Sequence, residues 1–208
     1  MINKIDTLEK YKKFINSKVE NKIKILVHAC CAPCSSEVLN ELKEHCDITV
    51  YYYNPNTHPY EEYVKRYEEF KKLPFNYPII NEYYNDQEFF DAVEQYKEYK
   101  EGSIRCYKCY ELRLRQTAKK AKELGFDYFT TTLSISPYKH SKWINEICEK
   151  IADEYGINFL YSDFKKNDGY KKSIALSKEY DLYRQEYCGC IFSIKELEER
   201  KHYVSKQE

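Results

Sequence analysis

The stretch "IKILVHA" (23–29) is apolar except for Lys24 and His28. A run of that length, bounded by polar sequence, fits a strand covered on both faces. The next stretch, "CSSEVLNELKEH", spaces Val38, Leu39 and Leu42 as the buried stripe of a helix. Strand and helix then keep alternating. "DITVYYYN" (47–54) is a second strand ended by Asn-Pro, and "HPYEEYVKRYEEFKKL" is a helix with Pro59 at its start. "NYPII" is a short third strand, and "DQEFFDAVEQYKEY" is a helix with Asp86 as the expected cap. "CYELRLRQTAKKAKELG" is a helix stopped by Gly125, and "FDYFTTTL" (126–133) is the fourth strand. "HSKWINEICEKIADEYG" is a helix stopped by Gly156, and "INFLY" is the fifth strand. From Ser162 onwards the pattern is helical and charged around "YCGC".

Strand alternating with helix predicts an α/β fold: an open parallel sheet with right-handed crossovers, flanked by helices and Rossmann-like. Sites in such sheets form at the carboxyl ends of the strands. "HACCAPC", "YNPNTHPY" and "TLSISPYKH" follow strands one, two and four, so three unusual loops are expected on one rim. Neither G-x-G-x-x-G nor G-x-x-x-x-G-K occurs, so the scaffold lacks a phosphate loop and its ligand is expected to be of another kind.

The length of 208 residues suits a single domain over 1–208, with an N-terminal helix over 1–20 and a helical, cysteine-bearing extension over 162–208. There is no apolar run of membrane-spanning length and no signal peptide, so a cytoplasmic protein with reduced thiols is expected. Lys+Arg and Asp+Glu both total 34, which leaves no general electrostatic pull towards nucleic acid. There are 23 tyrosines against one tryptophan and one methionine. Most are expected to be ordinary surface-to-core fillers, and a few to be stacking surfaces for bases or sugars.

The nine cysteines change the picture most. A chain of this size needs no disulfide staples, and an odd count does not pair off. Seven fall in three clusters: Cys30/Cys31/Cys34, Cys106/Cys109 and Cys188/Cys190. In C-C-x-x-C one of the vicinal pair is expected to point away from whatever the other binds. Cys106-x-x-Cys109 puts two thiolates on one side of a turn. In Cys188-Gly-Cys190 both side chains face one way in an extended segment, and Gly189 lets the backbone come close. Seven thiolates exceed the four that one tetrahedral ion uses. They fit a four-cysteine cluster with a second metal, or a cluster with a redox thiol pair. Iron–sulfur, zinc and thiol–disulfide chemistry all stay open from the residues alone. Cys148, in line with Ile144, Ile147 and Ile151, and Cys46 read instead as small buried hydrophobes.

"LVHACCAPC", "YYYNPNTHPYEEYVKR", "GSIRCYKCYELRL", "TTLSISPYKH" and "LYRQEYCGCIFS" together resemble the QueH family of epoxyqueuosine reductases, from about Lys24 to Phe192. The resemblance implies a fold of the HUP nucleotide-binding type. It implies reductive loss of the epoxide oxygen of epoxyqueuosine, at the wobble position of a tRNA, without cobalamin. It further implies a [4Fe-4S] cluster with a nearby mononuclear iron. One of Cys30 and Cys31 would face the cluster and the other the second iron, with Cys34, Cys106, Cys109, Cys188 and Cys190 as the remaining ligands, and the C-terminal extension would pack on this metal site. The partners implied are the tRNA anticodon loop and an external electron donor of the ferredoxin or flavodoxin kind, and no membrane.

Such a reduction consumes two electrons and two protons, so a proton donor is needed. His28 is nearest in sequence, although a strand-end histidine bonded to backbone is an equal reading. Tyr107, Tyr110 and Arg184 complete the catalytic candidates. Asn54, His58, Arg113, Ser136, Tyr138 and Lys139 are the substrate candidates. Basic residues on the helix after Cys109 (Arg115, Lys119, Lys120, Lys122) and before "YCGC" (Lys165, Lys166, Lys171, Lys172) would meet RNA phosphates or form an ordinary solvated face. Three competing functions are a zinc-stabilised RNA-binding module, an ATP-using tRNA thiolase and a dithiol–disulfide oxidoreductase.

Overall fold

A computed structural model describes residues 9, 13, 14 and 22–205, with side chains to residue 202. Apart from residues 9, 13 and 14, the helix expected over 1–20 lies outside the described residues.

Five strands form one sheet in the order β3-β2-β1-β4-β5, and every pair is parallel. They are β1 (Ile23–His28), β2 (Cys46–Tyr52), β3 (Ile79–Asn81), β4 (Tyr128–Thr131) and β5 (Asn158–Phe159). The helices are α1 (Ala32–Leu42), α2 (Tyr60–Glu68), α3 (Gln87–Val93), α4 (Ile104–Glu123), α5 (Ser141–Tyr155), α6 (Gly169–Glu179) and α7 (Ile191–Ser205). The strand order reverses direction between β1 and β4. That is the switch point where open α/β sheets leave a crevice at the carboxyl ends of their strands.

β1 lies at the centre and its side chains alternate between two cores. Ile25 and Val27 pack with Val38, Leu39 and Leu42 of α1 and with Ile48 and Val50 of β2. Leu26 packs on the other face with Leu114 and Ala118 of α4, Phe129 of β4 and Ile144 and Ile147 of α5. Period-two alternation with both faces buried from Ile25 to His28 accounts for the mostly apolar character of this strand. Each fully buried aliphatic side chain here stabilises the fold by about 1.5–3 kcal/mol. Cys148 sits in the second core with no exposure, and Cys46 opens β2, also buried.

Several boundaries differ from expectation. α4 starts at Ile104, not at Cys109, because Gly102 (φ 83°) breaks the preceding chain and Ser103 is extended. Cys106 and Cys109 therefore ride the first turns of the helix. Asp86 does not cap α3 with its side chain. Its carboxylate accepts from His58 Nε2 at 3.1 Å, while Asn85 Oδ1 accepts from Gln87 N at 3.2 Å. β4 ends at Thr131 rather than 133, because the Thr131 hydroxyl accepts from Leu133 N (3.2 Å) and turns the chain into a 3-10 helix over Thr132–Ile135. Gly125 and Gly156 end α4 and α5 with positive φ, as expected.

Candidate metal centre

The loop leaving β1 turns directly into α1. Cys31 is the extended residue at the helix start, Pro33 lies in the first turn, and Cys34 follows within it. The turn brings all three sulfurs together: every Sγ of Cys30, Cys31 and Cys34 lies within 4.8 Å of the other two, and Cys30 and Cys31 are 3.8 Å apart. The expectation that one of the vicinal pair points away is thus corrected. Extended backbone at Cys31 followed at once by a helical turn folds both side chains to one side. The Cys30 thiol lies well below its usual range, because Cys31 and then Cys34 donate to its sulfur. Cys31 is correspondingly pushed up to about 11 and Cys34 well above its ordinary value. Thr132 Oγ1 accepts from Cys30 N (3.3 Å), and Gln185 Nε2 donates to Cys31 Sγ at 3.1 Å.

The other two clusters meet beside it. Cys109 and Cys190 are buried together with Phe89 and Val93. Burial pushes Cys109 up to about 12, and the sulfurs of Cys188, Cys190 and Cys106 push in the same direction. Burial and then Cys188 hold Cys190 near 11. Cys106 accepts from Gly102 N at 3.2 Å and packs in the same core as Cys30, Cys31 and Cys34. All seven are free thiols. Among the described residues, the Cys30 trio is the one group of three or more candidate ligands whose atoms all lie within 4.8 Å of each other, so no three of Cys106, Cys109, Cys188 and Cys190 come that close together.

The "CGC" loop is fixed by Arg66 of α2, a residue without a role deducible from the sequence. Its Nε donates to Glu62 Oε1 (2.8 Å), while Nη1 and Nη2 donate to the carbonyls of Cys188 (3.0 Å) and Tyr187 (3.4 Å). Gly189 (φ 126°) approaches so closely that a Cβ there would lie 2.7 Å from Arg66 Nη1. Gly189 O accepts from His58 N at 2.7 Å, and the Tyr187 hydroxyl donates to His58 O at 2.8 Å. The loops after β2 and before α7 are therefore one unit. The sequence signal was only Glu62 and Arg66 at helical i,i+4 spacing.

Arg113 lies one turn beyond Cys109 and is 2 % exposed. Its Nε donates to Cys109 O (3.3 Å) and Nη1 to Asn54 Oδ1 (3.5 Å), but its Nη2 has no hydrogen-bond partner. Asn54 Nδ2 donates to Ala29 O at 2.9 Å, which ties the same guanidinium to the residue before Cys30. A buried charged donor left unsatisfied costs about 1–3 kcal/mol or more.

The remaining sequence candidates divide. His28 is fully buried: Nε2 faces Tyr53 O (3.2 Å) and Nδ1 faces the Thr131 hydroxyl (2.9 Å). Burial, then Arg113, lowers its pKa to about 3, so the ring is neutral and both nitrogens are engaged. That geometry matches the strand-end reading. Lys139 stands among Cys188, Cys30, Tyr110 and Cys34. Burial alone would lower its pKa, but these groups raise it and hold the ammonium charged. Burial likewise raises the Tyr110 phenol, which keeps its proton. Tyr107 packs edge-on against Trp143 (5.7 Å), which meets His140 at 4.5 Å. Next to them Ser136 is buried and Tyr138 is 81 % exposed. Arg184 turns elsewhere: its guanidinium donates to Ser177 Oγ (2.9 Å) of α6. The expected basic stripe on α4 is largely paired, with Arg115 on Glu154, Lys120 on Glu82 and Lys119 on Glu123, which is the solvated-face pattern.

A parallel sheet with a converged cysteine trio at its switch point, free of disulfides, defines an α/β protein with a sulfur donor set suited to metal. Comparison with known proteins narrows this. The family profile described as "Epoxyqueuosine reductase QueH" matches residues 25–196. The chain is 44% identical over 179 residues to the epoxyqueuosine reductase QueH of Streptococcus pyogenes, covering 82% of this chain and 70% of that one. It is 37% identical over 188 residues to the Thermotoga maritima protein of that name, covering 88% and 96%. The chain belongs to the QueH family of epoxyqueuosine reductases, oxidoreductases of tRNA modification. Among the described residues no helix is long and apolar enough to cross a membrane.

Proposed function

We propose that this chain removes the epoxide oxygen of epoxyqueuosine at the wobble position of a tRNA, leaving queuosine. The observation that carries the reading is the meeting of the "CCAPC", "CYKC" and "CGC" segments at the carboxyl ends of β1 and β4, in a chain with this family's sequence.

The donors suit iron. Cys106, Cys109, Cys188 and Cys190 would hold a [4Fe-4S] cluster, whose four thiolates stand wider apart than those around one ion. Cys30, Cys31 and Cys34 would hold a single neighbouring iron. Their mutual separations, all within 4.8 Å, suit a tetrahedral thiolate site, in which bonds of about 2.3 Å put sulfurs about 3.8 Å apart. When bound, the centre supplies electrons, received from a ferredoxin- or flavodoxin-like donor, and an open position for an oxygen ligand.

The chain's own residues do the rest. The departing oxygen leaves as water and takes two protons. Lys139 Nζ and the Tyr110 hydroxyl hold protons beside the sulfurs. Tyr107, Trp143 and the exposed Tyr138 offer aromatic faces on which a splayed base of the anticodon loop would stack. The test is anaerobic: iron-loaded protein, a strong reductant and epoxyqueuosine-bearing tRNA are incubated, and the digested nucleosides are weighed. Loss of one oxygen is expected. An unchanged mass with an intact cluster rejects the reading.

A further inference from the structure

Arg113 is a buried guanidinium beside the sulfurs to which the proposed reaction gives no task. It has no carboxylate partner among the described residues, whereas Arg66 pairs with Glu62 at 2.8 Å. Two of its three nitrogens are used, on Cys109 O and Asn54 Oδ1, and both bonds aim the group rather than neutralise it. Nη2 is left buried and unpartnered. Around it stand Cys109, Cys188 and Cys30, one residue from each cysteine segment. A buried cation with a free donor among sulfurs is half of an ion pair, and the other half is anionic. An iron–thiolate assembly carries that charge, and hydrogen bonds and charges around its sulfurs set its reduction potential.

The geometry points to Arg113 as the counter-charge of the metal centre: its free Nη2 donates to the anionic sulfur assembly and raises its reduction potential. The inference rests on the iron–sulfur reading above. Arg113 is a positioning residue, since it acts on the cofactor's sulfur ligands and not on the reacting atoms. Asn54 is its support, because Asn54 Oδ1 accepts from Arg113 Nη1 while its own amide is fixed by donating to the Ala29 carbonyl ahead of Cys30.

The test is a redox titration of anaerobically prepared Arg113→Gln, Arg113→Lys and Asn54→Asp, each checked for iron and sulfide content. Arg113→Gln should retain the cluster's visible absorption but reduce at a more negative potential. The expected shift is about 59 mV or more, a tenfold weaker one-electron reduction equilibrium. Arg113→Lys, which keeps the charge, should recover most of that shift. Asn54→Asp sets a carboxylate against the same guanidinium and should also move the potential down, which decides the matter if Arg113→Gln does not fold. Unaltered potentials in the iron-loaded variants overturn the inference, as does a Lys variant as displaced as the Gln variant. Wild-type protein without iron or acid-labile sulfide would instead overturn the iron–sulfur reading itself, and the inference with it.

Discussion

Cysteine has two opposite uses in this chain, and neighbouring atoms decide which applies. Cys148 is enclosed by Ile144, Ile147 and Ile151, and burial pushes its thiol well up, so it is an inert apolar filler. Cys148→Ala should leave iron content unchanged and cost about 1 kcal/mol in a urea titration, as for loss of one small buried group. Loss of the cluster would place it in the metal centre. Cys188→Ala and Cys190→Ala should abolish turnover and lower bound iron, measured by metal analysis beside the activity assay. Lys139 is the sharper case. Its ammonium is held charged among the sulfurs, so Lys139→Met should keep the cluster and lose activity by about 10²-fold or more, the usual weight of a positioned acid. Full activity in that variant would remove Lys139 from proton delivery.

At the scale of elements, the centre depends on one joint: the "CGC" loop clamped between Arg66 and the loop after β2. Gly189→Ala places a Cβ against Arg66 Nη1 and forces a side chain into a backbone conformation that L residues rarely adopt. A cost of about 1–3 kcal/mol is expected, with less iron bound per chain, read by thermal melting and metal analysis. Normal iron content would mean that the loop tolerates the shift. This joint also marks where the sequence stopped being readable. The mostly apolar strand "IKILVHA", the Gly125 and Gly156 stops and the placing of three loops on one rim all followed from local periodicity and turn chemistry. Arg66 on the Cys188 carbonyl, Asn54 between Ala29 and Arg113, and Asp86 drawn off its helix by His58 did not follow. Each joins residues far apart in the chain, and no local pattern encodes a long-range hydrogen bond. The vicinal Cys30 and Cys31 misled for the opposite reason: their convergence depends on a single extended residue at a helix start.

For the whole molecule, the aromatic and thiol content gives the fold a pH signature. Burial raises the phenols of Tyr51 and Tyr52 above their ordinary value and pushes Cys46 up to about 12. In the unfolded chain such groups lose their protons from about pH 8.5 for thiols and about pH 10 for phenols. The native state then binds more protons than the unfolded one, so stability is full below those values and falls as pH rises towards 12. The urea midpoint of metal-free protein should therefore drop between pH 7 and pH 10. A midpoint that holds or rises would contradict the assigned burial.

The larger claim is that sulfurs from three distant segments build one iron centre at the sheet's switch point. Its most direct test is chemical analysis of anaerobically purified protein for iron, zinc and acid-labile sulfide. The account predicts iron in excess of sulfide, as a [4Fe-4S] cluster with one further iron requires. Colourless protein carrying zinc and no sulfide would contradict it.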